Sequence, residues 1–545
     1  MPQRATYFRI SQLQSTRWCL LLATLASGSS VSAQTYTPPP PERLTNWSRP
    51  VFPVAEYVSR RAAALALLDS NDVLLVASAE GTSSGETFRQ LDDFEYLVGL
   101  EAPRTLLAID GRTRRSTLFV PARDPRFENA GRANDFPGRP LATDPSLRGL
   151  SGVEQVVPDD STTAFIQRVT ARGARVLIDM GRSDAPTAPS PFAVSSPGRI
   201  LAGYLTSEHP SLRLGNAYAV MATLRMVKSP REVALMREVA RTTAVAIARG
   251  AAHVRPGTDE RRLTGDFTAQ CMALGAQRVA FTPIIKSGDN SLWPWRILGA
   301  HYARRNREMQ RGELAIFDVG CERDHYVSDV GRTFPVGERF APRQRALVEM
   351  IRRISDAVIA AARPGITLGS LQQVAIAAIP PAERQYMQAP LYFGHHLGLD
   401  AGDPSLDDAT LTPGMVFTIE PWYYNHDQRI AAFLEDEILI TSKGSENLTS
   451  MLPRDADGLE RLRNAQDTLL LQANAGRTMT RDGVLSFALD GGEGAVRVYD
   501  LLNGIEVAVT PVCSHPVSGA LTEDDISFVV RCSGASAAVF VNTAS

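Results

Sequence analysis

The amino-acid sequence predicts a mixed α/β (α+β) chain made of several folded units. Its 545 residues exceed what one ordinary core uses and indicate two or three domains of roughly 150 residues each. Short apolar runs alternate with helical stretches as far as Tyr218, which favours an α/β unit. Strand pairs rich in acidic residues then follow a long helix. After residue 465 only short strand-like runs remain between turn residues, which predicts a small β-sandwich-like unit.

The predicted boundaries follow these changes of pattern. A signal peptide is expected at residues 1–33, because basic residues precede an apolar run at 18–26 and small residues end at Ala33. The run is shorter than the roughly 20 apolar residues of a membrane span. We therefore expect an exported chain, periplasmic or secreted, without a membrane span. Its folded units are expected at 34–220, 221–465 and 466–545.

Secondary structure can be placed at several points. Ser229 fits a helix N-cap, Pro230 fits the first turn, and Glu232 completes a capping box, so a helix is predicted from there towards Ala252. Apolar runs predict strands in the first unit at 73–77, 105–109, 116–120 and 175–178, and in the last unit at 484–488, 496–499, 505–509, 526–530 and 538–541.

Composition argues against some partners and leaves one covalent feature open. Hydrophobic residues make up 44% and charged residues 21%, and a formal net charge of −2 gives no reason to expect nucleic acid. The sequence has no CxxC pair, which argues against a thiolate zinc site. Cys513 and Cys532 lie in strand-like sequence, and export would permit a bridge that their spacing alone does not decide.

Two aspartates in one hairpin are the first candidate functional residues. Apolar strands flank a polar centre, and a turn at Arg323–Asp324 would place Asp318 directly opposite Asp329. Opposite side chains share one face, with Cβ atoms about 4.5–5.5 Å apart. Two carboxylates held that close repel each other unless a cation lies between them, so the hairpin predicts a metal.

The same construction recurs further along the chain. A turn at Asp427–Gln428 would make Glu420 and Glu435 cross-strand neighbours. Two hairpins that each present a carboxylate pair can hold two cations about 3.5–4 Å apart. An imidazole is available at His395 or His396, and neighbours on a strand point to opposite faces, so only one is expected to ligate. Oxygen ligands with one imidazole suit divalent Mn, Zn, Co or Fe.

These residues resemble the motifs of the pita-bread metallopeptidases, the family of aminopeptidase P, prolidase and methionine aminopeptidase. The aminopeptidase P branch is the most similar, and the resemblance spans roughly residues 55–462. It implies a creatinase-like N-terminal α/β domain and a pita-bread catalytic domain, with the small C-terminal β domain outside it. The five metal ligands that it implies are Asp318, Asp329 in Asp329-Val-Gly-Arg-Thr-Phe, His395 in His395-His-Leu-Gly-Leu-Asp, Glu420 and Glu435.

The resemblance also implies an activity. A dinuclear-metal aminopeptidase would hydrolyse the bond between an N-terminal residue and a following proline. Two divalent ions, Mn²⁺ as first choice and Zn²⁺ or Co²⁺ as alternatives, would activate a bridging hydroxide, with Glu420 as proton acceptor. His301 matches a family histidine that contacts the substrate, and Tyr424 matches a tyrosine near the metals. We expect a peptide as partner, a homo-oligomer, and no nucleic acid.

Four positions depart from the family pattern. Gly402 stands where the family carries a second histidine, whose hydrogen bond to the reaction intermediate can be worth about 2.7–4 kcal/mol. The other departures are Leu391 in place of a histidine, Phe433 in place of an arginine and Trp422 in place of a glycine.

Three interpretations of these departures stay open. In the first, His396 or His426 supplies the missing donor and contacts the substrate. In the second, the substrate is a dipeptide, as in prolidases, or another small molecule. In the third, activity is weak despite an intact metal site, or the chain is a catalytically impaired pita-bread binding protein. The complete set of five ligands argues against a protein without any activity, because no structural need explains its retention.

Overall fold

The computed structural model describes residues 49–81, 87–122, 141–182, 195–387, 394–464, 478–479, 485–490, 494–500, 505–513, 516–522, 527–532 and 538–542. The predicted signal peptide and Leu391 lie outside the described residues. Within the described part of the chain, no helix combines the length and the apolar composition that crossing a bilayer requires.

The first unit is a six-stranded mixed sheet with helices packed on it. Its elements are α1 (Val54–Ala66), β1 (Asp72–Ala77), α2 (Asp92–Val98), β2 (Leu106–Asp110), β3 (Arg115–Val120), α3 (Leu147–Ser151), β4 (Gln155–Pro158), α4 (Ser161–Ala171), β5 (Arg175–Ile178), α5 (Pro197–Glu208), β6 (Arg213–Asn216) and α6 (Tyr218–Met226).

Strand order in this sheet is β4-β3-β2-β1-β5-β6. The pairs β1–β2 and β2–β3 are antiparallel, whereas β3–β4, β1–β5 and β5–β6 are parallel. The four strands predicted from apolar runs are all present, as β1, β2, β3 and β5. Their near-continuous burial follows from helices on both faces.

The second unit begins with helices and continues with hairpins. Its elements are α7 (Pro230–Ala251), α8 (Glu260–Ala273), β7 (Arg278–Val279), β8 (Ile284–Ser287), α9 (Gly288–Ser291), α10 (Trp295–Leu298), a 3₁₀ helix (Gly299–Arg304), β9 (Leu314–Val319), β10 (Cys321–Arg323), β11 (Tyr326–Val327), β12 (Val330–Pro335), α11 (Pro342–Ala361), α12 (Leu368–Ala378), a 3₁₀ helix (Pro381–Tyr386), β13 (Val416–Ile419), β14 (Trp422–Asn425), β15 (Ile430–Phe433), β16 (Asp436–Ile440), β17 (Ser445–Asn447) and α13 (Ala456–Asn464).

Helix α7 confirms the predicted capping box. The amide of Glu232 donates to the Ser229 hydroxyl at 3.3 Å, and the amide of Ser229 donates to the Glu232 carboxylate at 2.9 Å. The buried face of α7 enters one apolar core with Phe317 of β9 and Phe417 of β13. This core fixes the strands that carry the candidate site residues.

Two small antiparallel sheets form the last unit. Its strands are β18 (Thr478–Met479), β19 (Leu485–Asp490), β20 (Ala495–Asp500), β21 (Ile505–Pro511), β22 (Pro516–Leu521), β23 (Ser527–Cys532) and β24 (Ala538–Asn542). One sheet contains β18 to β21 and the other β22 to β24. Phe487 and Phe528 stack between the sheets with ring centroids 4.8 Å apart, in agreement with a sandwich-like packing. The strand β22 was not predicted.

Two disulfides cross-link the chain. Cys513 is bonded to Cys532, which decides the question that their spacing left open. Cys271 of α8 is bonded to Cys321 of β10, a pairing that the sequence did not suggest. The second bridge ties α8 to the strand that follows Asp318 and closes a loop of 50 residues. The predicted domain boundaries themselves stay predictions.

Candidate metal centre

In the hairpin that carries Asp318, the strand register differs from the predicted register by two residues. Asp318 pairs with Gly331 rather than with Asp329, and the two-residue turn lies at Asp324–His325, not at Arg323–Asp324. Both turn residues have positive φ, 49° and 69°, which is typical of a type I′ turn. Because side chains alternate with a period of two, a shift of two residues still leaves Asp329 on the face of Asp318.

The second hairpin has the predicted register. Ile419 pairs with Asp436 and Trp422 pairs with Phe433, so Glu420 and the residue before Asp436 lie opposite each other between these pairs. That residue is Glu435, and it also joins the two hairpins. Its amide donates to the carbonyl of Gly331 at 3.0 Å and its carbonyl accepts from the Gly331 amide at 3.3 Å.

His395 lies between the two hairpins. Its Nε2 is 3.5 Å from Asp329 Oδ2 and 3.5 Å from Glu420 Oε1. The amide of Thr418 in β13 donates to the carbonyl of His395 at 2.9 Å, which holds the histidine segment against that strand. Asp329, His395 and Glu435 each offer a ligand atom, and these atoms lie within 4.8 Å of one another.

The carboxylates form one electrostatically linked group. Burial, followed by the charges of neighbouring carboxylates, raises the pKa of Asp318 and of Glu435 well above their ordinary range. Burial also raises the pKa of Glu420 to about 7, with Asp329 adding to the effect. Burial lowers the pKa of His395, but Asp329 and Glu420 outweigh it and raise that pKa to about 9. Each shift relieves negative charge crowded into a buried space.

Several of these oxygens lack a hydrogen-bond partner among the described residues. They are Asp329 Oδ1 and both carboxylate oxygens of Glu435, all buried. Leaving buried carboxylate oxygens unpartnered is costly, so a native protein normally supplies them with a donor or a cation. The donor set of four carboxylates and one imidazole therefore fits divalent cations.

Glu420 is held by two donors from its own hairpin. The Trp422 indole donates to Glu420 Oε2 at 3.2 Å, and the Thr418 hydroxyl donates to Glu420 Oε1 at 3.4 Å. Trp422, one of the departures from the family pattern, thus orients the carboxylate predicted to accept a proton.

Tyr424 is the other predicted residue that the structure brings close to the carboxylates. Its ring lies parallel to that of Trp422, with centroids 5.6 Å apart. Burial raises its pKa, and the charges of Asp318 and Glu420 raise it further.

Two predicted histidines lie elsewhere. His301 is exposed on the 3₁₀ helix Gly299–Arg304, and no contact among the described residues joins it to the carboxylates. His396 is buried, with its ring 6.3 Å from that of Phe417. Burial and then the charge of Lys228 lower the pKa of His396 to about 4.

His426 is the remaining candidate hydrogen-bond donor, and Gly402 is the position at which the family carries a histidine. His426 packs its ring 5.7 Å from that of Trp293, at the tip of the second hairpin. At Gly402 an added Cβ would meet no atom within 4 Å. A larger side chain therefore has room there.

Sequence reasoning missed the residues that support the site. Glu437 accepts hydrogen bonds from the Ser328 hydroxyl and from the amide of Asp329, and burial raises its pKa to about 8. Its signal in the sequence is the spacing of two from Glu435, the residue before β16, because residues two apart in extended chain share one face. Arg332 pairs with Asp436 at 2.7 Å, and both are fully buried.

The ring of Phe433 packs so closely on Gly331 that it leaves no space for a side chain there. An added Cβ would lie 2.0 Å from Cε1 of Phe433, whose ring stacks on Trp422 at 3.6 Å. We expect Gly331→Ala to lower the free energy of unfolding by about 1–3 kcal/mol, because the stack must shift. Urea titration measures this. Gly402→Ala is the matched control, and equal stability of the two variants would contradict the expectation.

Comparison with known proteins identifies two domains in this chain. The model of metallopeptidase family M24 matches residues 234–442, and that of the aminopeptidase P N-terminal domain matches residues 57–175. The chain is 28% identical over 439 residues to the mitochondrial intermediate cleaving peptidase 55 of Arabidopsis thaliana, covering 76% of this chain and 84% of that protein. It is 26% identical over 456 residues to the Xaa-Pro aminopeptidase of Escherichia coli K12, covering 75% and 97%.

Solved structures of aminopeptidase P share the fold. The E. coli enzyme in its low-pH form has a TM-score of 0.62 at 24% identity and covers 76% of this chain and 99% of that one. The Pseudomonas aeruginosa aminopeptidase PepP has a TM-score of 0.62 at 24% identity, covering 76% and 98%. The two matched domains, in the order found here, confirm the predicted family and fold. Residues 234–442 of this chain are a metallopeptidase family M24 domain, preceded by an aminopeptidase P N-terminal domain at residues 57–175.

Proposed function

We propose that this metallopeptidase is an exported aminopeptidase that removes an N-terminal residue preceding proline, with two divalent cations held by the site. One observation carries the proposal: Asp329, His395 and Glu435 offer ligand atoms within 4.8 Å of one another, and three buried carboxylate oxygens of Asp329 and Glu435 have no hydrogen-bond partner among the described residues. The proposed ligands are Asp318, Asp329, His395, Glu420 and Glu435. Relatives named Xaa-Pro aminopeptidase support the choice of substrate.

The residues around the cations have separate tasks in this proposal. The cations, when bound, supply Lewis acidity and lower the pKa of water. Glu420 is the proposed proton acceptor, because its carboxylate lies 3.5 Å from His395 among the proposed ligands and carboxylates commonly act as general bases. Trp422 and Thr418 keep its two oxygens in place. Mn²⁺ is the first cation to test, with Zn²⁺ and Co²⁺ as alternatives.

The test is release of the N-terminal amino acid from an Xaa-Pro-Xaa tripeptide by the mature chain supplied with Mn²⁺. We expect release that stops on chelation and in Asp329→Ala. An Xaa-Ala-Xaa tripeptide tests the requirement for proline, and an Xaa-Pro dipeptide tests prolidase-like cleavage. Two bound cations without release from any of these peptides would refute the peptidase activity proposed here.

Gly402 favours a second candidate function. With no histidine there and His301 exposed, a slower enzyme, one acting on another small substrate, or a binding protein on the same fold also fits. Turnover of any peptide of the first test identifies the slower enzyme, whereas a binding protein or an enzyme for another small substrate would hold Mn²⁺ without releasing an amino acid from these peptides.

A histidine introduced at residue 402 tests directly whether the absence of this side chain limits the activity. We expect Gly402→His to raise kcat about tenfold or more on the tripeptide, since one donor at a reaction intermediate can contribute about 2.7–4 kcal/mol. The open space at this position makes the change tolerable. Gly402→Ala is the control. An equal rate in both variants would show that the histidine has no catalytic use here.

Export is proposed on two grounds. The predicted signal peptide at residues 1–33 is one. The other is the pair of disulfides, Cys271–Cys321 and Cys513–Cys532, since such bonds persist in oxidising compartments and are rare in the cytosol. Fractionation of cells with N-terminal sequencing of the mature chain tests it. A cytosolic chain that retains residue 1 would refute export.

A further inference from the structure

A buried lysine lies beside the candidate metal centre. Lys286 of β8 is 0% exposed. Its Nζ donates to the carbonyl of Trp293 at 3.0 Å and lies 4.4 Å from the ring centroid of Trp422 and 5.3 Å from that of Tyr424. Removing an ammonium from water is costly, and two aromatic faces with one carbonyl offset only part of that cost.

Strand pairing directs this charge towards Asp318. Ile284 pairs with Asp318 and Lys286 pairs with Ile316, so Lys286 is the diagonal neighbour of Asp318 on the same face of the sheet. Burial lowers the pKa of Lys286 to about 8, and Asp318 is the largest of the influences that oppose this shift.

The aromatic rings fix the ammonium in this place. Trp422 stacks on Phe433, and Phe433 fills the space above Gly331. The departures at Trp422 and Phe433 thus have one structural consequence. Their stacked rings form one wall of the space around the Lys286 amino group and keep its positive charge beside the carboxylates. Lysine is also unusual in this chain, with three among 57 basic residues. A compact ammonium fits where a planar guanidinium would need more donors satisfied.

The charge acts unequally on the ligand set. Asp329, His395 and Glu435 already converge, and none of them lies beside Lys286 in the strand pairing. Asp318 does, so a cation that it helps to hold is repelled by the ammonium, whereas a cation held by the other three residues is repelled less.

We propose that Lys286 is a positioning residue that makes the two cation positions unequal, weakening the one that Asp318 helps to form. This rests on the proposed two-cation site. Lys286 then determines how the enzyme fills with metal: the position formed by Asp329, His395 and Glu435 fills first, and the Asp318 position fills only at higher cation concentration.

Calorimetric titration of the metal-stripped chain with Mn²⁺ at pH 7.0 tests this. We expect the wild type to bind one Mn²⁺ ion tightly and a second one weakly. In Lys286→Met, which removes the charge at similar length, the weak dissociation constant is expected to fall about tenfold or more while the tight one changes little. Lys443→Met, on an exposed turn, is the matched control and is expected to bind like the wild type.

The sign of the change separates this role from a structural one. If Lys286 only supported the stacked rings, its loss would weaken the binding of both Mn²⁺ ions, and that result would overturn the proposal. Equal dissociation constants for the two ions in the wild type would overturn it as well. Lys286→Gln, a second neutral variant, is used if Lys286→Met fails to melt cooperatively. Absence of any bound Mn²⁺ in the wild type would refute the metal centre itself, whereas failed tripeptide release with unequal binding would refute only the activity.

Discussion

Metal-free protein is expected to lose stability as the pH rises from about 5 to 8, and a divalent cation is expected to restore it. Burial raises the pKa of Glu420 to about 7 and that of Glu437 to about 8. Burial and then the charges of neighbouring carboxylates also raise the pKa of Asp318 and that of Glu435 well above their ordinary range. Each carboxyl keeps its proton in the folded chain over a range in which the unfolded chain has lost it.

The direction of the effect follows from proton binding. A carboxyl with a raised folded pKa contributes stability that is complete below its unfolded pKa, near 4, and that is lost as the pH rises towards the folded value. Each such group removes up to about 1.4 kcal/mol per pH unit. His395, whose pKa is raised to about 9, acts in the same direction above about 6.5.

Urea unfolding at pH 5, 6, 7 and 8 measures this loss, in EDTA-treated protein and in protein saturated with Mn²⁺. Bound cations replace the protons as partners of the carboxylates, so the loss with pH is expected to shrink when Mn²⁺ is present. Glu435→Gln, which keeps the shape and removes one titrating group, is expected to flatten the metal-free profile. A metal-free chain that grows more stable from pH 5 to 8 would contradict the charge-crowded site described here.

Asp436→Asn is expected to lower the free energy of unfolding by about 3–5 kcal/mol. Asp436 accepts from Arg332 at 2.7 Å, from Arg454 Nε at 2.6 Å and from the Thr449 hydroxyl at 2.8 Å. Asp436 and Arg332 are both 0% exposed. Loss of the carboxylate charge leaves guanidinium charge buried without compensation, which is much more costly than loss of an exposed ion pair.

The consequence extends to the candidate site, because Arg332 also donates to the carbonyl of Glu435. We therefore expect weaker cation binding together with the lower stability. Asp457→Asn is the matched control, since Asp457 pairs with Arg345 on the surface with 69% of its side chain exposed. Such pairs contribute about 0–1 kcal/mol. A change in Asp436→Asn no larger than in the control would show that Asp436 is not the anchor of this network.

How far the sequence predicts the site depends on how local the relevant interactions are. The register that places Glu420 opposite Glu435 is set by one short hairpin, so counting from its turn was sufficient. The register of Asp318 was missed by two residues because Asp324 and His325 both adopt positive φ and move the turn. The side-chain period of two kept the carboxylates on one face despite that error.

The sequence by itself determined the unit order, most strands and the capping box of α7, because spacing within hairpins and helix ends encodes them. Hairpin spacing and the family resemblance also pointed to Asp329, His395 and Glu435, whose ligand atoms lie within 4.8 Å of one another. Only the tertiary structure decided that Lys286 adds its charge beside Asp318, that Glu437 supports Asp329, and that His301 is exposed. The first two depend on strands packed from distant parts of the chain, and the third on where a surface helix lies. Neither spacing nor periodicity records such contacts, since they arise only when separate elements bury one another.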